Sequence, residues 1–125
     1  MDLKKNILVV EDSKFQSEIF AFYLNQMGFE NVTQARDGNE ALNLILKDSF
    51  DLIISDWEMP NMDGLELLKN IKKTPSCKDI PFIMITILED ADSNREAMNA
   101  GASDFIVKPA DPDILKEKLG KVFPE

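Results

Sequence analysis

Ile7-Leu8-Val9-Val10-Glu11-Asp12 is an unbroken apolar run that ends at two carboxylates. A short run rich in Ile and Val, with no polar interruption, is typical of a parallel strand that is covered on both faces of the sheet. The chain repeats this pattern at Leu52 to Ile54, Phe82 to Ile85 and Phe105 to Val107, and more weakly around Val32. The sequence therefore predicts five strands of one parallel sheet.

Segments of helical period lie between the apolar runs, and several of their starts carry N-cap signals. These are Ser13 with Gln16, Asp37 with Glu40, Asp63 with Glu66, and Asp111 followed by Pro112. Gly28 and Gly101 suit helix ends. The alternation of strands and helices predicts an α/β fold, a three-layer α/β/α sandwich with right-handed crossovers, in a single domain over residues 1–125.

The segment from Ala91 to Ala100 is the weakest of the predicted helices. It offers mainly Ala97, Met98 and Ala100 to a hydrophobic core, so we expect it to be the least firmly packed. The acidic residues near its start are expected to form a solvated loop: Glu89, Asp90 and Asp92.

The composition excludes several classes of function. The 125 residues include 14 Lys and Arg, 23 Asp and Glu and no His, for a net charge of −9. Such an acidic chain is poorly suited to direct nucleic-acid binding, and no apolar stretch is long enough for membrane insertion. Without histidine, the chain cannot form His-based triads, His metal sites or a phosphohistidine. Cys77 has no partner for an internal disulfide, so we expect a reducing compartment, the cytoplasm.

Polar side chains stand where four of the predicted strands end. They are Glu11, Asp12, Asp56, Thr86 and Lys108. Because the carboxyl ends of parallel strands share one edge of the sheet, we expect these side chains to converge. Three clustered carboxylates repel one another, and a hard cation such as Mg²⁺ relieves that repulsion through oxygen ligands. Asp56 would then stay ionised and could attack phosphorus, while Thr86 and Lys108 bind the phosphoryl oxygens.

At this point the motifs resemble those of the receiver domains of two-component response regulators, most closely the single-domain chemotaxis regulators. The likeness covers essentially the whole chain. It is carried by Ile7 to Asp12, by Ser55-Asp56-Trp57-Glu58-Met59-Pro60-Asn61-Met62-Asp63-Gly64, by Thr86, and by Ala100-Gly101-Ala102-Ser103 leading to Lys108-Pro109. The resemblance implies a five-stranded parallel sheet of order 2-1-3-4-5, the flavodoxin-like receiver fold.

The resemblance also implies how phosphorylation would occur. Asp56 matches the phosphoacceptor of the family. Glu11 and Asp12 match the acidic pair that holds Mg²⁺, together with Asp56 itself and the backbone carbonyl of Glu58. A histidine kinase or a phosphotransfer protein donates the phosphoryl group in such systems, which agrees with the absence of histidine here.

A second group of residues matches the switch of the family. Thr86 corresponds to the hydroxyl that moves toward the phosphoryl group, and Lys108 to the lysine that pairs with it. Phe105 corresponds to the aromatic that turns inward when the threonine moves, and the bond to Pro109 is expected to be cis. Phosphorylation adds up to about two negative charges at one point. The shift is expected to alter the face formed by the fourth helix, the last strand and the last helix, which binds a downstream protein target. The resemblance thus implies a signalling protein rather than an enzyme, with chemotaxis as a candidate process.

Several positions depart from the pattern of the chemotaxis regulators. Glu58, Ile87 and Leu88 bring charge and bulk near the acceptor, and we predict that they tune the dephosphorylation rate. Phe105 stands where those proteins have tyrosine. Ala110 replaces an aromatic residue after Lys-Pro, which weakens the implication that the chain binds a flagellar switch.

Other classes of function stay open from the sequence. A receiver module cut from a larger regulator, with a DNA-binding or enzymatic output, would carry the same residues. A haloacid-dehalogenase-type phosphatase also uses an Asp nucleophile and Mg²⁺, but its second Asp would stand where this chain has Glu58. A flavodoxin-like cofactor carrier would place phosphate against the repelling charges of Glu11 and Asp12. A structural pseudo-receiver would normally lack the acceptor or the acidic pair.

Overall fold

Ten secondary-structure elements alternate along the chain in the computed structural model, which describes residues 3–124. The strands are β1 (Ile7–Val10), β2 (Val32–Ala35), β3 (Leu52–Asp56), β4 (Phe82–Thr86) and β5 (Asp104–Val107). The helices are α1 (Lys14–Gln26), α2 (Gly38–Lys47), α3 (Gly64–Lys72), α4 (Ala91–Asn99) and α5 (Pro112–Val122). Each strand is followed by a helix, as the alternation in the sequence predicts.

The five strands form one parallel sheet of order β2-β1-β3-β4-β5. The predicted fold class and strand order are therefore confirmed. The register aligns Val10 with Ser55, and Thr86 with Val107. The carboxyl ends of β1, β3, β4 and β5 therefore lie along one edge of the sheet. The order reverses between β1 and β3, which opens a crevice at that edge.

Two hydrophobic layers cover the sheet, because successive residues of a strand point to opposite faces. On one face, Val9 and Ile54 pack with α1 and α5. On the other, Leu8 and Ile53 pack with α2, α3 and α4. All residues of β1, β3 and β4 are buried, which explains why these strands have no polar alternation.

The predicted N-caps are present. The side chains of Ser13, Asp37, Asp63 and Asp111 accept hydrogen bonds from the backbone N–H groups three residues further on. Each bond satisfies a donor that the first turn of a helix leaves without an intrahelical partner. Gly28 and Gly101 have φ angles of +103° and +111°, the left-handed conformation that ends a helix and favours glycine.

The start of α4 differs from the prediction. Asp90 is not a loop residue without structural role, because its carboxylate accepts a hydrogen bond of 2.8 Å from the N–H of Ser93 and caps the helix. Asp92 lies in the first turn and pairs with Arg95. The prediction of a lightly packed helix is confirmed, because Ala97 is the only buried residue described in α4. The expectation that Met98 faces the core is wrong, because its side chain is exposed. Within residues 3–124, no helix combines the length and apolar character needed to cross a membrane.

Candidate functional site

The side chains predicted to form a site lie along the carboxyl edge of the sheet. Asp56 and Thr86 are the last residues of β3 and β4, so they are fixed by the hydrogen bonds of the strands themselves. Glu11 directly follows β1, and its N–H continues the ladder to the carbonyl of Ala35 at 2.9 Å. Lys108 follows β5 and donates its N–H to the Thr86 carbonyl at 2.7 Å. Regular strand pairing thus positions four of the five residues.

The three carboxylates come together as the sequence predicts. Oxygen atoms of Glu11, Asp12 and Asp56 all lie within 4.8 Å of one another. Glu11 is only 2% exposed and Asp56 is 9% exposed, whereas Asp12 is open to solvent. The cluster therefore has two shielded carboxylates and one that faces water, an arrangement that leaves room for a hydrated ion.

Lys108 is paired with two of these carboxylates. Its Nζ lies 3.2 Å from Oε1 of Glu11 and 3.3 Å from Oδ1 of Asp56. Burial lowers the pKa of Lys108, but the negative charges of Asp56 and Glu11 outweigh that effect, and the net change is upward. The ammonium group is therefore charged at neutral pH and neutralises part of the cluster.

The pKa of Glu11 indicates that the ammonium group of Lys108 neutralises the carboxylate cluster only in part. Burial first, and then the neighbouring Asp56, raise the pKa of Glu11, and Lys108 opposes them only in part, so that the net pKa is about 7. Among residues 3–124, Oε2 of Glu11 is the buried side-chain oxygen that lacks a hydrogen-bond partner. A buried carboxylate oxygen without a partner, beside two other carboxylates, fits a divalent cation with oxygen ligands such as Mg²⁺.

The loop after Asp56 is held in a fixed shape by backbone contacts. The N–H of Trp57 donates to Oδ1 of Asp56 at 2.9 Å and thereby orients the carboxylate. Gly64 donates its N–H to the carbonyl of Trp57 at 2.7 Å, which closes the loop at its far end. A Cβ at Gly64 would overlap the backbone carbonyl of Asp56, so the close approach requires glycine.

The same loop is also attached to the start of α2. Asn61 has a φ of 69°, and its side-chain amide donates to Oδ2 of Asp37 at 2.9 Å. Gly38 donates its N–H to the carbonyl of Met62 at 3.1 Å. Hydrogen bonds to the N–H of Glu40 and to Asn61 hold the pKa of Asp37 below its usual value. Asp37 therefore serves two functions, as helix cap and as anchor for the loop that carries Glu58.

The hydroxyl of Thr86 is buried and points to Glu58. It donates a hydrogen bond of 3.1 Å to Oε1 of Glu58 and accepts one of 3.1 Å from the N–H of Leu88. The Leu88 side chain packs against the hydrophobic layer on the α4 side. The hydroxyl is thus a connection between the loop after β3 and the loop that leads into α4.

Phe105 lies inside the molecule. Its side chain is 8% exposed, and its ring meets that of Trp57 edge-on with centroids 6.5 Å apart. The ring is thus inward while Thr86 is bound to Glu58. A rotation of Phe105 that is coupled to Thr86 stays a prediction.

A groove of about 440 Å³ borders the site on the α1 side. Ile87, which is exposed, forms part of its wall together with Lys108, Pro109 and Ala110. The peptide bond between Lys108 and Pro109 is cis. Ile87 and Leu88 are therefore separated in space: Ile87 faces this groove, and Leu88 faces the core.

Comparison with known proteins gives the family. The sequence model described as "Response regulator receiver domain" matches residues 7–120. The chain belongs to the receiver-domain family. It is 42% identical to chemotaxis protein CheY-3 of Vibrio cholerae, over 97% of this chain and 95% of that protein. It is 36% identical to chemotaxis protein CheY of Pseudomonas aeruginosa, over 94% of each chain. The crystal structure of CheY4 of Vibrio cholerae superposes with a TM-score of 0.89 at 34% identity, covering 96% of this chain and 99% of that one.

Membership of the receiver family confirms the resemblance and removes support for the phosphatase and flavodoxin alternatives. Receiver domains are signalling modules of two-component systems, and this chain is CheY-like. Three contacts of this receiver were not predicted from the sequence: Thr86 with Glu58, Asn61 with Asp37, and Trp57 with Phe105. Each contact joins residues that are far apart in the chain, so no local sequence signal could have identified it.

Proposed function

We propose that this receiver domain, residues 1–125, accepts a phosphoryl group on Asp56 from a histidine kinase or a phosphotransfer protein in the cytoplasm. The observation that carries the proposal is the position of Lys108. Its ammonium group lies within 3.3 Å of both Asp56 and Glu11, at the edge where the three carboxylates converge. A nucleophile, a cation-binding cluster and a fixed positive charge are the parts that phosphoryl transfer to a carboxylate requires.

Each residue would have a defined task in the transfer. A carboxylate oxygen of Asp56 forms a bond to phosphorus while the bond from phosphorus to the donor imidazole nitrogen breaks, and the released imidazole takes up a proton. Lys108 binds a phosphoryl oxygen as a point charge, and Thr86 donates its hydroxyl to another. Later attack of water on phosphorus releases inorganic phosphate and restores the Asp56 carboxylate.

Mg²⁺ would be held by the carboxylates of Glu11, Asp12 and Asp56 and by the backbone carbonyl of Glu58. When bound, the ion supplies positive charge to the phosphoryl oxygens. Glu11 would give the ion a buried oxygen that has no other partner, and Asp12 would face both ion and solvent. The fit of the cluster to a divalent ion supports this part of the proposal.

The output would pass through the α4-β5-α5 face to a protein target, in chemotaxis or a related response. Thr86 is bonded to Leu88, whose loop leads into α4, and α4 is held to the core by little more than Ala97. An element with few buried contacts changes position at small cost in free energy. Similarity to chemotaxis proteins of Vibrio and Pseudomonas favours this kind of output.

The test is the intact mass of the chain after incubation with acetyl phosphate and Mg²⁺. We expect a gain of one phosphoryl group that is abolished by EDTA and by Asp56→Asn. Asp51→Asn, a carboxamide change at the opposite end of β3, is the matched control and should be phosphorylated normally. A wild-type chain that gains no mass from acetyl phosphate or from a phosphorylated histidine-phosphotransfer protein would contradict the proposal.

A further inference from the structure

The Thr86 hydroxyl connects two loops that flank the site. It donates to Oε1 of Glu58 in the loop after β3, and it accepts from the N–H of Leu88 in the loop before α4. Thr86 is fully buried, whereas Glu58 is exposed. The acceptor that keeps this buried hydroxyl satisfied is therefore supplied from the surface.

A hydroxyl has one proton and can donate it to one acceptor at a time. In the structure that acceptor is the carboxylate of Glu58. A phosphoryl oxygen on Asp56 would need the same proton if Thr86 is to bind it. The two hydrogen bonds exclude each other, so the Glu58 bond must break before the phosphoryl bond can form.

We propose that Glu58 is a positioning residue whose carboxylate competes with the phosphoryl group for Thr86. The inference rests on the proposed phosphorylation of Asp56 and adds the group that opposes it. Glu58 holds Thr86 in the unswitched position and sets how strong an anion is needed to draw the hydroxyl away. This role is separate from any effect of Glu58 on the attacking water.

The strength of the competition follows from the exposure of Glu58. A carboxylate that is already in contact with water is hydrated again as soon as it loses the hydroxyl, so the bond opposes switching only moderately. A phosphoryl group carries more negative charge than a carboxylate and has three acceptor oxygens. Its hydrogen bond with the Thr86 hydroxyl is therefore the stronger of the two. Because Leu88 is bonded to the same hydroxyl oxygen, the exchange of acceptors also disturbs the loop that leads into α4.

The experiment measures the affinity for beryllofluoride, an anion that imitates a phosphoryl group on a carboxylate, in the presence of Mg²⁺. Trp57 is the only tryptophan, and its backbone N–H is bonded to the Asp56 carboxylate, so its fluorescence can follow the titration. Glu58→Ala removes the acceptor, and we expect the midpoint to fall by roughly three- to tenfold, as for loss of one moderately strong hydrogen bond. Glu58→Gln keeps a neutral acceptor and should lie between Glu58→Ala and wild type. Glu89→Ala removes an equal, exposed charge nearby and should leave the midpoint unchanged.

A double-mutant cycle separates competition for the hydroxyl from simple charge repulsion. In Thr86→Val, or in Thr86→Ala if valine disturbs folding, there is no hydroxyl to compete for. We expect Glu58→Ala to have little effect on the midpoint in that background. An equal fold-change with and without the hydroxyl would overturn the proposal, because the effect would then come from charge alone.

The chain without ligand gives a second readout. With labelled threonine methyl groups, the NMR signal of Thr86 should move in Glu58→Ala and stay in place in Glu89→Ala; a signal that stays in place in both would overturn the proposal. Intact mass after treatment with acetyl phosphate is measured on the same proteins. Failure of the wild type to be phosphorylated would overturn the proposed function, whereas normal phosphorylation with an additive cycle would overturn only the role of Glu58.

Discussion

Lys108 holds its ammonium nitrogen 3.3 Å from Oδ1 of Asp56, although almost half of the chain separates the two residues. Both side chains are largely shielded from water, with 19% and 10% of their surfaces exposed. The ion pair is therefore screened less than one on the surface. A positive charge is in place at the carboxylate that we propose as nucleophile before any phosphoryl group arrives.

Removal of the ammonium group should have opposite effects on phosphorylation and on metal binding. In Lys108→Ala we expect the rate of phosphorylation by acetyl phosphate to fall by about tenfold or more, because one charged partner of the phosphoryl oxygens is lost. The affinity for Mg²⁺ should rise by about threefold or more, because a like charge has been removed from Glu11 and Asp56. Intact-mass time courses and Mg²⁺ titrations measure the two effects. Lys116→Ala, an exposed lysine of α5, is the control, and equal rates in both variants would contradict the role of Lys108.

Glu11 should determine whether Mg²⁺ stabilises the chain. At an ion concentration ten times its dissociation constant, binding adds about 1.4 kcal/mol to the free energy of unfolding, or roughly 4–7 °C in Tm. In Glu11→Gln we expect most of this increase to disappear. The metal-free variant should be at least as stable as the wild type, because a neutral amide replaces a buried acid without a partner at Oε2. Thermal unfolding with Mg²⁺ and with EDTA measures both quantities, and Glu18→Gln on the surface of α1 is the control. A full Mg²⁺ increase in Glu11→Gln would exclude Glu11 as a ligand.

Asp37 should make part of the stability depend on pH. Its pKa lies below the ordinary 3.8, because the folded state donates hydrogen bonds to the ionised carboxylate from Glu40 and Asn61. The resulting stabilisation is present above pH 3.8 and is lost as pH falls through the lower pKa of the folded state. Asn is also a good N-cap, so Asp37→Asn removes the charge and keeps the cap. We expect the wild type to be more stable at pH 6, by up to about 1 kcal/mol.

The same difference should shrink as the pH is lowered below 3.8. Urea unfolding at a series of pH values measures it. Asn61→Gly is the control, because it removes one of the two bonds to the carboxylate at a position whose positive φ glycine tolerates. A difference between wild type and Asp37→Asn that is constant over the whole range would show that the charge of Asp37 has no part in stability.

Two glycines should respond in opposite ways to the same substitution. A Cβ at Gly64 would overlap the Asp56 carbonyl and lie 3.0 Å from both Sδ of Met84 and Cα of Trp57. Gly64→Ala should therefore destabilise the chain by about 2 kcal/mol or more and disturb the loop that begins at Asp56. Gly120 lies within α5, where a Cβ would meet no atom within 4 Å, so Gly120→Ala should stabilise by about 0.5–1 kcal/mol. Denaturant unfolding compares the two, and equal effects would contradict the close approach at Gly64.

The lifetime of the phosphorylated chain should depend on Leu88. Its backbone N–H is bonded to the Thr86 hydroxyl, and its half-buried side chain packs against the hydrophobic layer on the α4 side, so its truncation would loosen the loop that holds this hydroxyl at the site. We expect Leu88→Ala to lose its phosphoryl group severalfold faster than wild type, and Glu58→Asn to change the rate as well. Loss of phosphoryl mass after removal of the donor measures the rate. Leu46→Ala, an exposed leucine of α2, is the control, and an unchanged lifetime in both Leu88→Ala and Glu58→Asn would end this hypothesis.

The fold was predictable because its determinants are local. Unbroken apolar runs such as Ile7 to Val10 identify strands covered on both faces, and N-caps such as Ser13 act over three residues. Asp90 was misjudged for a related reason. Its cap bond to Ser93 is as local as the others, but the helix that follows has so little apolar periodicity that its start carried no clear signal.

The convergence of the site residues was also predictable, since one topological rule brings the carboxyl ends of parallel strands together. What that rule does not give is the choice of partners within the cluster. Thr86 was expected to face a phosphoryl group, and in the structure it binds Glu58. Phe105 was expected to move inward, and its ring is already buried against Trp57.

The sequence by itself determined the succession of strands and helices along the chain and the helix caps, because periodicity and short-range hydrogen bonds specify these features. It also determined the set of residues at the carboxyl edge of the sheet, because parallel strands all end at that edge. The tertiary structure alone decided that Lys108 pairs with both Glu11 and Asp56, that Asn61 anchors its loop to Asp37, and that Thr86 is held by Glu58. Such contacts depend on differences of an ångström in strand twist and loop packing. Those differences result from many weak interactions across the whole chain, and no short stretch of sequence contains them.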